Sequence, residues 1–235
     1  MKTAIIALTC GRINYTRQTF AHNFKDIDTD VFIWDNSETP EERAEVIELC
    51  AQYPQVKAIM TEGVNIGIAH GLNRLLKTVF VQNNYDMAIT MGNDILEPPS
   101  WVSMREHYAA TIPRVGIVST PLKGAARYAI QLHGDCYFEH GHIVGNFGIT
   151  RELFERIGYM PEVYGVYGPI DLEYCDKAQA AGYKTIYISN ITPPPVHIGD
   201  DSPADYQDKK MRSLQAAWPI YHDRKRRIGY GEQVD

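Results

Sequence analysis

Thr29-Asp-Val-Phe-Ile-Trp34-Asp35-Asn36-Ser37-Glu-Thr39-Pro40-Glu-Glu42 decides the fold. Its first six residues are an extended, largely apolar run that stops in a turn cluster, Asp35-Asn36-Ser37. The next four form a capping box: Thr39 at the N-cap, Pro40 at the first helical position and Glu42 three residues on. A strand leading through a short turn into a helix is half of a βαβ unit, and the chain repeats it. Working outward, Thr3-Ala-Ile-Ile-Ala-Leu-Thr9 reads as a strand covered on both faces. Val56–Met60, Asp86–Met91 and Val115–Thr120 read as further strands. Between them lie a helix with Ile47, Cys50 and Tyr53 on one face and a second with Ile68, Leu72, Leu75, Leu76 and Val79 in one stripe. A third helix starts at Pro98-Pro99-Ser100.

Strands alternating with helices predict an α/β fold built on a mostly parallel, doubly wound sheet with helices on both faces. Ligands of such sheets bind beyond the carboxyl ends of the strands. Asp35, the segment Asn65–Gly67 and Asn93-Asp94 all fall there. From Tyr128 to Glu139 the pattern changes to a small β-hairpin insertion about His133-Gly134-Asp135. Helices Arg151–Ile157 and Pro169–Ala181 follow, the second closed by Gly182, then a strand Lys184–Ile188.

The chain has 235 residues, 44% of them apolar and 22% charged, with 23 Lys and Arg against 29 Asp and Glu. That is globular composition, and a formal charge of -6 supplies no overall field for a polyanion. Residues 203–235 depart from this, with seven basic and five acidic side chains. The expected organisation is one domain over residues 1–202, then a basic tail or lid over residues 203–235 for which helix is the natural regular form. Four dispersed cysteines without a Cys-x-x-Cys pair indicate thiols in a reducing compartment, so the expected location is cytoplasmic. Ala4–Leu8 is too short for a signal-peptide core or a membrane span, so no transmembrane segment is expected.

Several chemistries are disfavoured by missing motifs. Gly63, Gly67 and Gly71 fit neither a dinucleotide fingerprint nor a Walker A loop, and there is no Gly-x-Ser-x-Gly elbow. His140 and His142, two apart on an extended stretch, share a face and could hold a metal, or be ordinary half-exposed residues. Asp35 and Asp94 at strand ends suit turns and caps as readily as ligand binding. Asp171 falls in the first turn of a helix, where the macrodipole favours a carboxylate. Glu173 lies about 200° further round the axis and is expected to form a solvated i, i+4 ion pair with Lys177.

Six fragments, in order, resemble the family 2 glycosyltransferases and their GT-A, Rossmann-like fold. They are Trp34-Asp35-Asn36-Ser37, Asn65–Asn73, Met91-Gly-Asn-Asp-Ile-Leu-Glu-Pro98, Gly145–Gly158, Tyr167–Gly182 and Val196–Ser202, and the resemblance spans about residues 1–202. It implies transfer of a sugar from a nucleoside-diphosphate sugar to an acceptor hydroxyl by single displacement with inversion. It also implies roles residue by residue. Asp35, Asn65, Gly67, Asn93 and Asp94 would bind the donor. Asp94, matching the last residue of the Asp-x-Asp motif, and His197 would hold Mn²⁺ or Mg²⁺. Asp171 would be the catalytic base. Two positions depart from the pattern, Gly92 for the first aspartate of Asp-x-Asp and Ile170 for the glutamate of Glu-Asp. The first leaves fewer oxygen ligands, and the second suggests an unusual acceptor.

The rival readings are a sugar nucleotidylyltransferase and a non-catalytic nucleotide-sugar-binding module. Cys10-Gly11-Arg12 supplies only a fragment of the Gly-rich basic loop the nucleotidylyltransferase would carry. The acceptor could be a glycan or a lipid-linked sugar. If Lys209-Lys210-Met-Arg212 and Arg224-Lys-Arg-Arg227 form a phosphate-contacting arm rather than a solvated segment, it could instead be hydroxymethylated DNA or an anionic lipid surface.

Overall fold

A computed structural model describes residues 1–122, 129–134, 136–189, 191–199, 204–229 and 231–232. Its strands are β1 (Thr3–Thr9), β2 (Asp30–Asp35), β3 (Val56–Met60), β4 (Met87–Met91), β5 (Ile95–Leu96), β6 (Val115–Ser119), β7 (Ala129–His133), β8 (Tyr137–His140), β9 (Phe147–Thr150), β10 (Lys184–Ile188) and β11 (Val196–His197). Its helices are α1 (Ile13–Asn23), α2 (Pro40–Cys50), α3 (Ile68–Leu76, continued by a π-helical stretch Lys77–Gln82), α4 (Trp101–Thr111), α5 (Arg151–Ile157), α6 (Ile170–Ala180) and α7 (Ala204–Gly229).

Among the described residues one sheet runs in the order β3-β2-β1-β4-β9-β6-β10-β8-β7. The pairs β1–β2, β2–β3, β1–β4 and β6–β10 are parallel, while β9 runs antiparallel between β4 and β6. The expected mostly parallel α/β sheet is present, with the hairpin β7–β8 added at one edge; Tyr128 and Asp135 of the expected hairpin lie outside the described residues. Alternation along β1 shows why both faces are covered. Ala4 and Ile6 point into a core shared with Leu72, Leu75 and Leu76 of α3 and with residues of α5, α6 and α7. Ile5 and Ala7 point into a second core with Phe20 of α1, Val46 and Leu49 of α2 and Trp101 of α4. Each such fully buried aliphatic side chain contributes about 1.5–3 kcal/mol relative to exposure.

The capping box forms as read: the Glu42 N–H donates to Thr39 Oγ1 at 3.2 Å, and the Thr39 N–H donates to Glu42 Oε2 at 3.3 Å. The face of α2 is corrected. Ile47 is 51% exposed, and Val46, Leu49 and Cys50 make the buried stripe. The C-terminal segment is a 26-residue helix. Its second half, through Ala217, Tyr221, Arg224 and Ile228, is buried against the body. It is therefore not a solvated tail. No helix among the described residues is long and apolar enough to cross a membrane.

Candidate active site

The carboxyl ends of β1, β2, β3 and β4 bring the expected donor-side residues to one rim. Arg12, just beyond β1, opens α1 from a left-handed backbone conformation with φ 49°. A non-glycine residue held there points to a local constraint. Its guanidinium donates to Asn93 Oδ1 at 3.2 Å and to Asp94 Oδ2 at 3.1 Å. Asn93 is locked in turn, donating to Thr16 Oγ1 at 3.0 Å and accepting from Thr19 Oγ1 at its carbonyl at 2.9 Å. His197 Nε2, on β11, lies 3.6 Å from the same Asp94 oxygen. Burial pushes the Asp94 carboxyl up, but hydrogen bonds and charge from His197 and Arg12 outweigh it and hold the group below its usual range. Asp94, Asn93 and His197 are thus one cluster, with Arg12 at its centre.

Arg12 has a role that sequence reasoning missed. Cys10-Gly11-Arg12 is legible only as a fragment of a Gly-rich basic loop, and nothing in it announces a contact with Asp94. Asn146, quoted within Gly145–Gly158 but given no role, is a second such residue. Its Oδ1 accepts from the Gly92 N–H at 2.7 Å, and its Nδ2 donates to Glu97 Oε1 at 2.9 Å. Glu97 also takes two bonds of 3.0 Å from the fully buried Arg105, so the Asp94 turn rests on a buried ionic network. A Cβ at Gly92 would stand 3.3 Å from Asp94 Oδ1 and 3.7 Å from Asn146 Oδ1, contacts that a small side-chain shift relieves, so the fold does not itself require glycine there. Ile170 packs into the core at 3% exposure.

Asp35 is fully buried at the end of β2. Its Oδ1 accepts from Thr9 Oγ1, Ser37 Oγ and the Ser37 N–H at 2.8, 2.7 and 3.2 Å. Its Oδ2 is buried with no hydrogen-bond partner among the described residues, an expensive state for a carboxylate oxygen. Asn65 donates to Cys10 Sγ at 3.4 Å and accepts from the Gly67 N–H at 3.0 Å. Gly67 is buried with φ 91°, and a Cβ there would meet Gly165 O at 2.7 Å. The close backbone approach that requires this glycine is made to the chain's own Gly165–Val166 segment.

Asp171, in the first turn of α6, accepts from the Leu172 N–H at 3.0 Å. Its side chain is half-buried. Burial raises its carboxyl to about 6, against opposing backbone N–H groups and the charge of His142. A helix N-terminus lowers a carboxyl by roughly 0.3–1 kcal/mol, which is too little to cancel that burial. Between Asp171 and Asp94 lie side chains of α7 and of the loop before α6 that feel the charge of each. Lys210 Nζ stands 5.0 Å from the Tyr167 ring centre and within the electrostatic reach of Asp94. Tyr167 in turn lies within reach of Asp171. Tyr206 covers Arg12, ring centre to guanidinium carbon 4.8 Å.

Two sequence expectations are corrected nearby. Glu173 is fully buried, not solvated, and its main partners are Arg224 at 2.8 and 2.9 Å and the Tyr164 hydroxyl, with Lys177 at 3.8 Å. His140 ends β8 and His142 lies beyond it; His142 faces Asp176 at 3.2 Å and Tyr221 at 3.2 Å. Among the described residues no group of three His, Cys, Asp or Glu side chains is arranged to hold a metal. Among the basic residues of the C-terminal helix, Arg224 pairs with Glu173, Lys225 with Asp176, Arg226 with Asp223 and Arg227 with Glu232, and Arg212 donates to the Asp208 carbonyl. Two surface depressions of 290 and 380 Å³ lie against β10 and against the α6–α7 seam, outside the Arg12–Asp94 cluster.

No family model and no curated protein matches the sequence. Solved structures do match the fold. One is the mannosyltransferase PcManGT from Pyrobaculum calidifontis in complex with GDP-Man and Mn²⁺, at TM-score 0.67 and 17% identity over 89% of this chain. Another is GalNAc-T7 with UDP, GalNAc and Mn²⁺, at TM-score 0.64 and 10% identity over 80% of this chain. The chain spans 60% of the length of the first and 42% of the second. The mixed sheet, the helices on both its faces and these neighbours together assign the chain the GT-A glycosyltransferase fold.

Proposed function

We propose that the chain is an inverting glycosyltransferase of the family 2 type that moves a sugar from a nucleoside-diphosphate donor to an acceptor hydroxyl. One observation carries this reading. Lys210 stands 5.0 Å from the Tyr167 ring, with Asp94 among the charges acting on Lys210 and Asp171 among those acting on Tyr167, in a fold whose solved neighbours hold GDP-Man in one case and UDP with GalNAc in another. The first carboxylate is kept ionised by Arg12 and His197, and the second is poised near neutrality by burial. Two carboxylates with opposed pKa shifts suit opposed roles.

Asp171 takes the proton from the attacking hydroxyl. A carboxyl titrating at about 6 is ionised at neutral pH yet more basic than an ordinary aspartate. Asp35, with an unpartnered oxygen, and Asn65 would receive the nucleoside at the β2 and β3 ends. Asn93 positions Arg12 beside the diphosphate. A carboxylate oxygen and an imidazole nitrogen 3.6 Å apart fit Mn²⁺ better than Mg²⁺, so Asp94 and His197 would hold that ion, with the donor's phosphates completing its shell. When bound, the ion acts as a Lewis acid on the leaving diphosphate. Arg12 shares the Asp94 oxygen, so metal affinity in the absence of donor should be low.

The test is incubation of the full chain with UDP-, GDP-, dTDP- and CMP-sugars, with and without Mn²⁺ and with and without pyrophosphate, read by mass spectrometry and, for the anomeric configuration of the product, by NMR. Slow release of nucleotide from one donor, faster with a hydroxyl acceptor and with inverted product, is expected. Binding of a donor with no hydrolysis or transfer under any metal condition would make the chain a non-catalytic module. Exchange of pyrophosphate into a sugar nucleotide would make it a nucleotidylyltransferase.

A further inference from the structure

Helix α7 is built in two unlike halves. From Ala217 onward it is anchored by buried residues, with Arg224 paired to the fully buried Glu173. From Ala204 to Ala216 no described side chain is buried. Pro219 lies inside the helix, where it removes a backbone donor and weakens the continuity between the halves. Among the described residues, ring contacts tie the exposed half to the body at the candidate site. Tyr206 lies against Arg12, and Lys210 lies against Tyr167. Arg12 reaches the site from the β1–α1 turn and Lys210 from the helix above it, with Asp94 in range of both.

A donor diphosphate carries at least two negative charges and must enter beside the carboxylates of Asp94 and Asp171, in a protein of net charge -6. That entry is repulsive unless local cations offset it. Guanidinium and ammonium groups are the side chains that bind phosphate oxygens through charge-assisted hydrogen bonds. We propose that Arg12 and Lys210 form a two-sided cationic clamp for the donor's diphosphate, with the first half of α7 as the lid that carries Lys210. The clamp rests on the glycosyltransferase reading above and adds to it the residues that recognise the phosphates.

The experiment measures binding of UDP, GDP, UMP and GMP to the full chain by calorimetry with Mn²⁺ present, at 50 and 200 mM salt. Wild-type chain should bind one diphosphate at least tenfold more tightly than its monophosphate. Lys210→Ala should weaken the diphosphate about tenfold, leave the monophosphate within twofold and flatten the salt dependence, while Lys210→Arg retains wild-type affinity. Lys209→Ala, one exposed residue away, should change nothing. Arg12→Lys keeps a cation but not the fork, and should lose part of the same discrimination. Wild-type chain that binds UDP or GDP while Lys210→Ala binds it equally well overturns the clamp and leaves the donor reading standing. Wild-type chain that binds none of UDP, GDP and, in the same assay, dTDP overturns the donor reading and the clamp with it.

Discussion

Arg224 donates two hydrogen bonds, of 2.8 and 2.9 Å, to the carboxylate of Glu173, 51 residues earlier in the chain. The glutamate is fully buried and lies two residues after Asp171 on α6. One ion pair therefore fastens the C-terminal helix to the element that carries the candidate base, and its acceptor is completed by the Tyr164 hydroxyl.

Breaking that pair from one side should be costly, because the surviving charge stays buried. Glu173→Leu or Arg224→Met alone should lower unfolding free energy by about 3–5 kcal/mol. The double variant, which removes both charges and keeps the volume, should recover most of that loss. Urea unfolding midpoints check this. Additive losses in the double variant would show that the pair is not coupled as its geometry requires.

Asp171→Asn should lose activity and gain stability. The folded carboxyl titrates at about 6, above its unfolded value of 3.8, so the native state binds the extra proton between those values. Stability then falls as pH rises through that window, and the penalty is complete above it. Two pH units correspond to about 3 kcal/mol, reduced here because solvent reaches the group. The amide removes the penalty and keeps an oxygen for the Leu172 N–H. The variant should melt higher than wild type at pH 7.5 and equally at pH 4, while transfer falls by roughly 10²–10⁴-fold and donor binding is kept. Equal melting at both values would locate the raised carboxyl elsewhere.

The same ionisation should shape the rate. The base works only as the carboxylate, so kcat/KM for transfer should climb about tenfold per pH unit below 6 and level off above it. His142→Ala removes a neighbouring positive charge that favours the ionised form. That variant should shift the limb upward without abolishing the plateau. A limb that stays in place when His142 is replaced would separate the histidine from the base.

How far the sequence could be read follows from where its information is local. The Thr39–Glu42 box and the strand Lys184–Ile188 were legible because a cap and a short apolar run are defined within a few residues. The four-residue β9 was not. Phe147–Thr150 contains Gly148, runs straight into α5 and is a strand only because β4 and β6 lie on either side of it. The pattern points Ile47 inward because α2 is rich in charge and its apolar stripe is thin, so a one-residue rotation is weakly resisted. Spacing pairs Glu173 with Lys177 four residues away, whereas its dominant partner comes from a distant helix. Asp94 and His197 were named from a resemblance, but their shared oxygen with Arg12 depends on a left-handed turn that no residue type announces.

Cys10 offers a direct reporter of the proposed donor site. Its thiol is exposed, touches Asn65 at 3.4 Å and the Asn36 carbonyl at 3.5 Å, and precedes Arg12 by two residues. Partial burial, reinforced by the charges of Glu38, Glu42 and Asp35, pushes the thiol up, so it should alkylate slowly at neutral pH and faster toward pH 9. Cys136 is also exposed but belongs to the hairpin edge, whereas Cys50 and Cys175 are buried. Maleimide treatment of native chain should therefore modify Cys10 and Cys136 and spare the other two. A nucleotide seated over Asn65 and Asp35 covers the Cys10 sulfur and leaves Cys136 untouched. Saturating nucleoside diphosphate should slow labelling at Cys10 by at least fivefold, read by peptide mass mapping, with Cys136 as the internal standard. If bound nucleotide protects neither thiol, the nucleoside does not occupy the β2–β3 rim, and Asp35 keeps only its role in holding the turn at Ser37.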